Sequence, residues 1–132
     1  MFDWKKPTSQ MLGRWQPWHK GHTELFKKAH KQTGQVLIMV KDVQGVCAGK
    51  GKNDNPFNFF EVKKNILNNL SANGFKEDKD FQIMLVPNIV DVTYGRDVGY
   101  TFTQHDLGKQ IHDISATKIR NRMRKRGEIK LS

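Results

Sequence analysis

The 132-residue chain has a single cysteine, Cys47, so it can form no internal disulfide, and with no second cysteine it offers no cysteine-based structural metal site. Cys47 reads as a loop or core filler. Long apolar stretches are also missing. No window approaches the roughly 20 apolar residues that a membrane-spanning helix requires, and the opening segment MFDWKKPTSQ has no apolar signal-peptide core. The expectation is therefore a cytoplasmic protein with no membrane partner. Acidic residues are scarce, 13 Asp and Glu against 23 Lys and Arg, giving a formal net charge of +10. That balance favours anionic partners without choosing between nucleic acid, membrane headgroups and nucleotides. No zinc-finger spacing occurs, and the aromatics do not interleave with the charges as in RNA-binding modules. Nucleic acid is thus the disfavoured partner, and a basic nucleic-acid-binding module without catalysis stands as the non-enzymatic alternative.

Apolar residues make up 36% of the sequence and recur in short runs, which favours one folded domain over residues 1–132. Residues 1–9 are polar and read as loosely ordered. Gln10–Trp15, with Met11 and Leu12, reads as a first strand. Gly13, Pro17 and Gly21 interrupt any regular pattern until a helix begins near Gly21, with Leu25, Phe26 and Ala29 at helical spacing and Gly34 as its C-cap. Val36–Val40 is an unbroken apolar run, as in a strand covered on both faces. The Gly-, Asn- and Lys-rich stretch from Val43 to Pro56 reads as a long functional loop. Phe57–Leu70 resumes helical spacing. Phe81–Val86 and Ile89–Tyr94 read as third and fourth strands, Phe102–Gly108 as a weaker helical or irregular piece, and Ile114–Met123 as a last helix with Ser115 as N-cap. The order strand, helix, strand, helix, strand, strand, helix predicts an α/β fold, a parallel sheet with helices on both faces. In such a sheet the ligand lies where the strands end and the loops leave. A sheet domain this small also covers exposed edges well by pairing, so a homodimer is expected.

The loops at that rim carry the chemistry. His19 and His22 stand one helical turn apart at a helix start, where both rings can face one cavity beside outward-pointing backbone N–H groups. An imidazole donates to a phosphoryl oxygen without the heavy hydration of an ammonium group. Gly21, lacking a side chain, lets a phosphate approach the backbone. A purely structural role for the pair is the bland alternative, and two histidines with no carboxylate nearby make a poor metal site. The segment ISATKIR offers a second polar helix start, with Ser115, Thr117 and Lys118 followed by Arg120. Alone it reads as a capped surface helix. With the first it reads as the opposing side of a polyphosphate cradle.

The two segments bear a family resemblance. GRWQPWHKGH (Gly13–His22) resembles the His-x-Gly-His signature of the nucleotidyltransferase superfamily, and ISATKIR (Ile114–Arg120) resembles its Ile-Ser-x-Thr-x-Ile-Arg signature. Arg14, Pro17 and an aromatic before His19 look most like the archaeal type of nicotinamide-nucleotide adenylyltransferase, as do Asn55-Pro56-Phe57 and Ile119-Arg120 followed by Asn121-Arg122-Met123. The compact length is closer to glycerol-phosphate cytidylyltransferases. The resemblance runs from about Leu12 to Met123. It implies a Rossmann-like fold of the nucleotidyltransferase type and transfer of a nucleoside monophosphate from a nucleoside triphosphate to a phosphorylated small-molecule acceptor. Pyrophosphate is released with Mg2+ present. ATP is the favoured nucleotide; CTP with a phospho-alcohol or phospho-sugar acceptor is the alternative. By the same resemblance His19 and His22 contact the nucleotide phosphates, Arg14 contacts them too, and Ser115, Thr117 and Arg120 hold the triphosphate tail.

Further candidates rest on position. Gly13 opens the first loop. Lys41 at the end of the second strand, or Lys50 or Lys52 in the glycine-rich loop, is placed to reach the phosphates. Arg96, between Gly95 and Gly99, is placed to bind acceptor or triphosphate, with Asp97 as its anchor. Trp15 and Trp18 serve either to stack on an acceptor base or to fill the core.

Overall fold

The structure is a computed structural model that describes residues 1–46, 54–96, 99–105, 119, 120 and 123. Its elements run β1 (Ser9–Gly13), α1 (Lys20–Thr33), β2 (Val36–Lys41), α2 (Phe59–Ala72) and β3 (Phe81–Val86). Among the described residues three strands form a parallel sheet in the order β1-β2-β3, flanked by helices in a Rossmann-like arrangement. Register runs from Ser9↔Val36 to Gly13↔Val40 and from Val36↔Phe81 to Lys41↔Val86. Strands that start and stop together leave their C-terminal ends on one rim, which is where the first two loops depart.

Both crossovers step the same way across the sheet, and right-handed connections then bring both helices to one face. That face holds the core. Val36, Ile38 and Val40 of β2 pack with Phe26 and Ala29 of α1, Val62, Ile66 and Leu70 of α2, and Met11 and Phe81. Burying each large apolar side chain stabilises the fold by roughly 1.5–3 kcal/mol. The intervening β2 residues Leu37, Met39 and Lys41 are only half-buried, so burial along this strand alternates among the described residues although its sequence is an unbroken apolar run.

Helix ends follow local chemistry. Gly34 closes α1 in the left-handed conformation, φ 82°, donating its N–H to the His30 carbonyl. α2 begins at Phe59 rather than Phe57, because Asn58 and Glu61 form a reciprocal capping box. The start of the chain is tied down rather than loose. Phe2 is buried, and the Gln35 carboxamide donates to the Asp3 carbonyl (2.6 Å) and the Thr8 hydroxyl (2.7 Å).

Two strand expectations change. β1 ends at Gly13, not Trp15, because Trp15 turns into the left-handed region at φ 55° and leaves the ladder. Ile89–Tyr94 is not a strand. Its alternating β-branched residues have a strand's pattern, but among the described residues none pairs with them; Val90 is 86% exposed, and the Ile89 N–H turns back onto the Pro87 carbonyl. Alternation marks a face, whereas a strand also needs a ladder partner. Residues 102–105 are irregular, and Ile119, Arg120 and Met123 are helical. Ser115 and Thr117, like Cys47, Lys50, Lys52 and Asp97, lie outside the described residues.

Candidate active site

The loop from Arg14 to His19 is held by side chains. A Cβ at Gly13 would fall 2.8–3.0 Å from the Trp15 indole, so this position has no room for a larger residue while Trp15 folds back over the strand end. The left-handed backbone of Trp15 is strained by roughly 1–3 kcal/mol. It is held there by its Nε1–H, which donates to the Met39 carbonyl at 3.1 Å, and by burial of the ring. Trp18 is also buried, its Nε1–H donating to the Thr23 hydroxyl (2.8 Å) and its carbonyl accepting from Asn65 Nδ2 (3.0 Å). Both indoles pack against His22, at ring-centroid distances of 4.8 and 5.5 Å. They belong to the core, and their edges help to line a cavity of about 380 Å³ with Phe57, Glu61, Asn65 and Met123.

His19 is the N-cap of α1 and His22 its third residue, and the two form a capping box built from imidazoles. His19 Nδ1 accepts the Gly21 N–H (3.0 Å), and His22 Nδ1 accepts the His19 N–H (3.1 Å). The rings stack with centroids 3.7 Å apart and planes 26° from parallel. A nitrogen that accepts an N–H cannot itself carry a proton, so each neutral ring has its proton on Nε2. Electrostatics point the same way. Burial pushes His22 down to about 3, with the charge of His19 adding to the effect, and burial lowers His19 as well. Near neutral pH the site therefore presents two uncharged Nε2–H donors beside the positive end of a helix.

The remaining candidates divide. Arg14 is exposed and reaches Asn55 Oδ1 through Nη1 (3.3 Å), while Asn55 itself donates to the Val46 carbonyl (2.6 Å). Arg120 is buried, 2% exposed, with Nη1 on the Gln16 carbonyl at 2.6 Å and Nη2 3.8 Å from Asp54. The second motif thus meets the first loop directly, through its arginine. Lys41 stands half-buried at the rim end of β2, one residue beyond the register partner of Gly13. Gly21 is buried in the first turn of α1. Arg96 lies in an exposed bend, and no described contact joins it to the histidine loop.

Sequence reasoning passed over Gln16, Thr23 and Asn65, which hold the loop. The readable signal was local: a glutamine between Trp15 and Pro17 in a loop otherwise rich in aromatics must satisfy its carboxamide if it is buried.

No family model matches the chain. A nicotinamide-nucleotide adenylyltransferase of Methanococcus maripaludis (strain C5) is 32% identical over 84 residues, which is 64% of this chain and 43% of that protein. Its counterpart in Methanococcus vannielii is 41% identical over 34 residues, 26% of this chain and 20% of that protein. The chain thus spans less than half the length of the curated relatives it matches. Among solved structures, a bifunctional NMN adenylyltransferase/ADP ribose pyrophosphatase from Francisella tularensis superposes with a TM-score of 0.52 at 28% identity, over 62% of this chain and 22% of that one. Sequence and fold likeness thus meet on the same kind of protein, and the chain is homologous, over about 64% of its length, to nicotinamide-nucleotide adenylyltransferase-like members of the nucleotidyltransferase superfamily.

Proposed function

We propose that this chain moves a nucleoside monophosphate, adenylyl in preference to cytidylyl, from a nucleoside triphosphate to a phosphorylated small-molecule acceptor. An acceptor phosphate oxygen attacks the α-phosphorus in line; the bond from that phosphorus to the α,β-bridging oxygen breaks, and its electron pair leaves with pyrophosphate. The observation that carries this reading is the imidazole capping box. It turns both Nδ1 atoms inward onto backbone N–H groups and leaves both Nε2–H groups as donors.

Phosphoryl-type transfer needs positioning and neutralisation of oxygen charge more than acid–base chemistry. Two neutral donors held at a helix N-terminus supply that to the phosphoryl oxygens. Neither histidine need act as general base, since a phosphate monoester is already anionic near neutral pH. Arg14 at the rim and Lys41 at the end of β2 add positive charge to the side from which a triphosphate would arrive. Magnesium would travel with the nucleotide. It keeps several waters and takes one or two carboxylates together with substrate phosphates, and among the described residues no group of three metal-ligating side chains forms a dedicated cage. Because the relatives are nicotinamide-nucleotide adenylyltransferases, nicotinamide mononucleotide is the first acceptor to try with ATP.

The test is pyrophosphate release from ATP and from CTP, with magnesium, across a panel of phosphorylated acceptors that includes nicotinamide mononucleotide. Release that depends on both nucleotide and acceptor supports the reading; no release with any pair rejects it.

A further inference from the structure

The histidine loop contains one buried polar residue that the proposed chemistry does not use. Gln16 is 3% exposed. Its carboxamide pairs with Phe57 in both directions: Nε2 donates to the Phe57 carbonyl (3.0 Å), and Oε1 accepts the Phe57 N–H (2.9 Å). Its backbone carbonyl accepts from Arg120 Nη1 at 2.6 Å. One residue therefore joins three stretches of chain that are 41 and 104 positions apart in sequence.

A carboxamide carries a donor and an acceptor side by side, which is what a backbone N–H and C=O pair requires; no apolar or charged side chain of similar length provides both. The pairing fixes Phe57 just ahead of the Asn58 cap, so α2 begins in register with the loop. His19 follows three residues later. Its position depends on a loop that has no helical or strand ladder of its own between Gly13 and Lys20.

We propose that Gln16 is a positioning residue: held by Phe57 and Arg120, it sets the placement of the His19–His22 pair without touching substrate. Its catalytic consequence rests on the transferase reading, whereas its effect on the imidazoles does not.

Two variants test this, Gln16→Met, which keeps the length and removes both side-chain hydrogen bonds, and Gln16→Glu, which keeps the acceptor and loses the donor. Each is compared with the wild-type chain by circular dichroism, by steady-state pyrophosphate release, and by long-range proton–nitrogen spectra of the imidazoles without nucleotide. The expected result is a kcat lower by about 10- to 100-fold, as for an ångström-scale misplacement, with KM for the nucleotide changed less than about 3-fold. The nitrogen signals of His19 and His22 should move while those of His30, near the far end of α1, stay in place. Unmoved His19 and His22 signals in a folded variant overturn the proposal, as does an unchanged kcat. Should Gln16→Met not fold, Gln16→Glu provides both readouts. If the wild-type chain releases no pyrophosphate, the transferase reading fails, and the imidazole spectra alone decide the role of Gln16.

Discussion

His22 Nδ1 accepts the backbone N–H of His19 at 3.1 Å, so one histidine caps the helix end that the other begins. The bond has a consequence for protonation. Burial of the ring among the indoles, with the charge of His19 adding to it, pushes the His22 pKa down to about 3, and a proton on Nδ1 would displace the His19 N–H as well.

The first prediction concerns pH and stability. The folded pKa of His22 is below the ordinary 6.5, so the unfolded chain takes up a proton first as pH falls. Stability contributed by the neutral ring is complete above about pH 6.5 and is lost as pH falls toward about 3, by at most about 1.4 kcal/mol per pH unit. Urea denaturation across that range should show the wild-type chain weakening more steeply than His22→Gln. Parallel slopes would contradict the neutral, capped ring.

A second prediction concerns the glycine at the strand end. Gly13→Ala puts a methyl group 2.8–3.0 Å from the Trp15 indole, which must then shift. That indole packs on His22 and donates to Met39, so the shift should destabilise the fold by about 1–3 kcal/mol and lower turnover as well. Denaturation and pyrophosphate release on the same preparation check both effects.

Third, Asn58→Ala breaks the capping box of α2 and should lower stability by about 1 kcal/mol, read as a shift in the urea midpoint with an unchanged slope. No shift would mean that Asn58 contributes nothing as a cap.

Fourth, the core predicts its own weak point. Phe26 is fully buried between Phe75 and Phe81, and Phe26→Ala should destabilise by about 3–5 kcal/mol, enough to unfold a marginal domain at moderate temperature. A loss under about 1 kcal/mol would show that the aromatic cluster is not the centre of the core.

Much of the frame was legible in the sequence because period and punctuation agreed. Gly34 after the apolar positions of α1, the apolar run of β2 and the run Phe81–Val86 each carried a local signal that packing reinforced. Ile89–Tyr94 misled because alternation says nothing about a pairing partner. The histidines were legible by spacing, but their tautomers were not, since these follow from which backbone N–H each Nδ1 meets. Gln16 was hidden for a related reason: its partners, Phe57 and Arg120, lie far along the chain. The chain is similar to adenylyltransferases, and the proposed transfer rests on that likeness together with the imidazole geometry.

The proposed joint role of His19 and His22 as phosphate donors in nucleotidyl transfer is tested most directly by acceptor-dependent pyrophosphate release from ATP by the wild-type chain, His19→Ala and His22→Ala. Each substitution should lower kcat by about 100-fold or more, as when one preorganised donor to a developing phosphoryl charge is removed, with each variant still folded. Wild-type turnover in both folded variants would contradict that role.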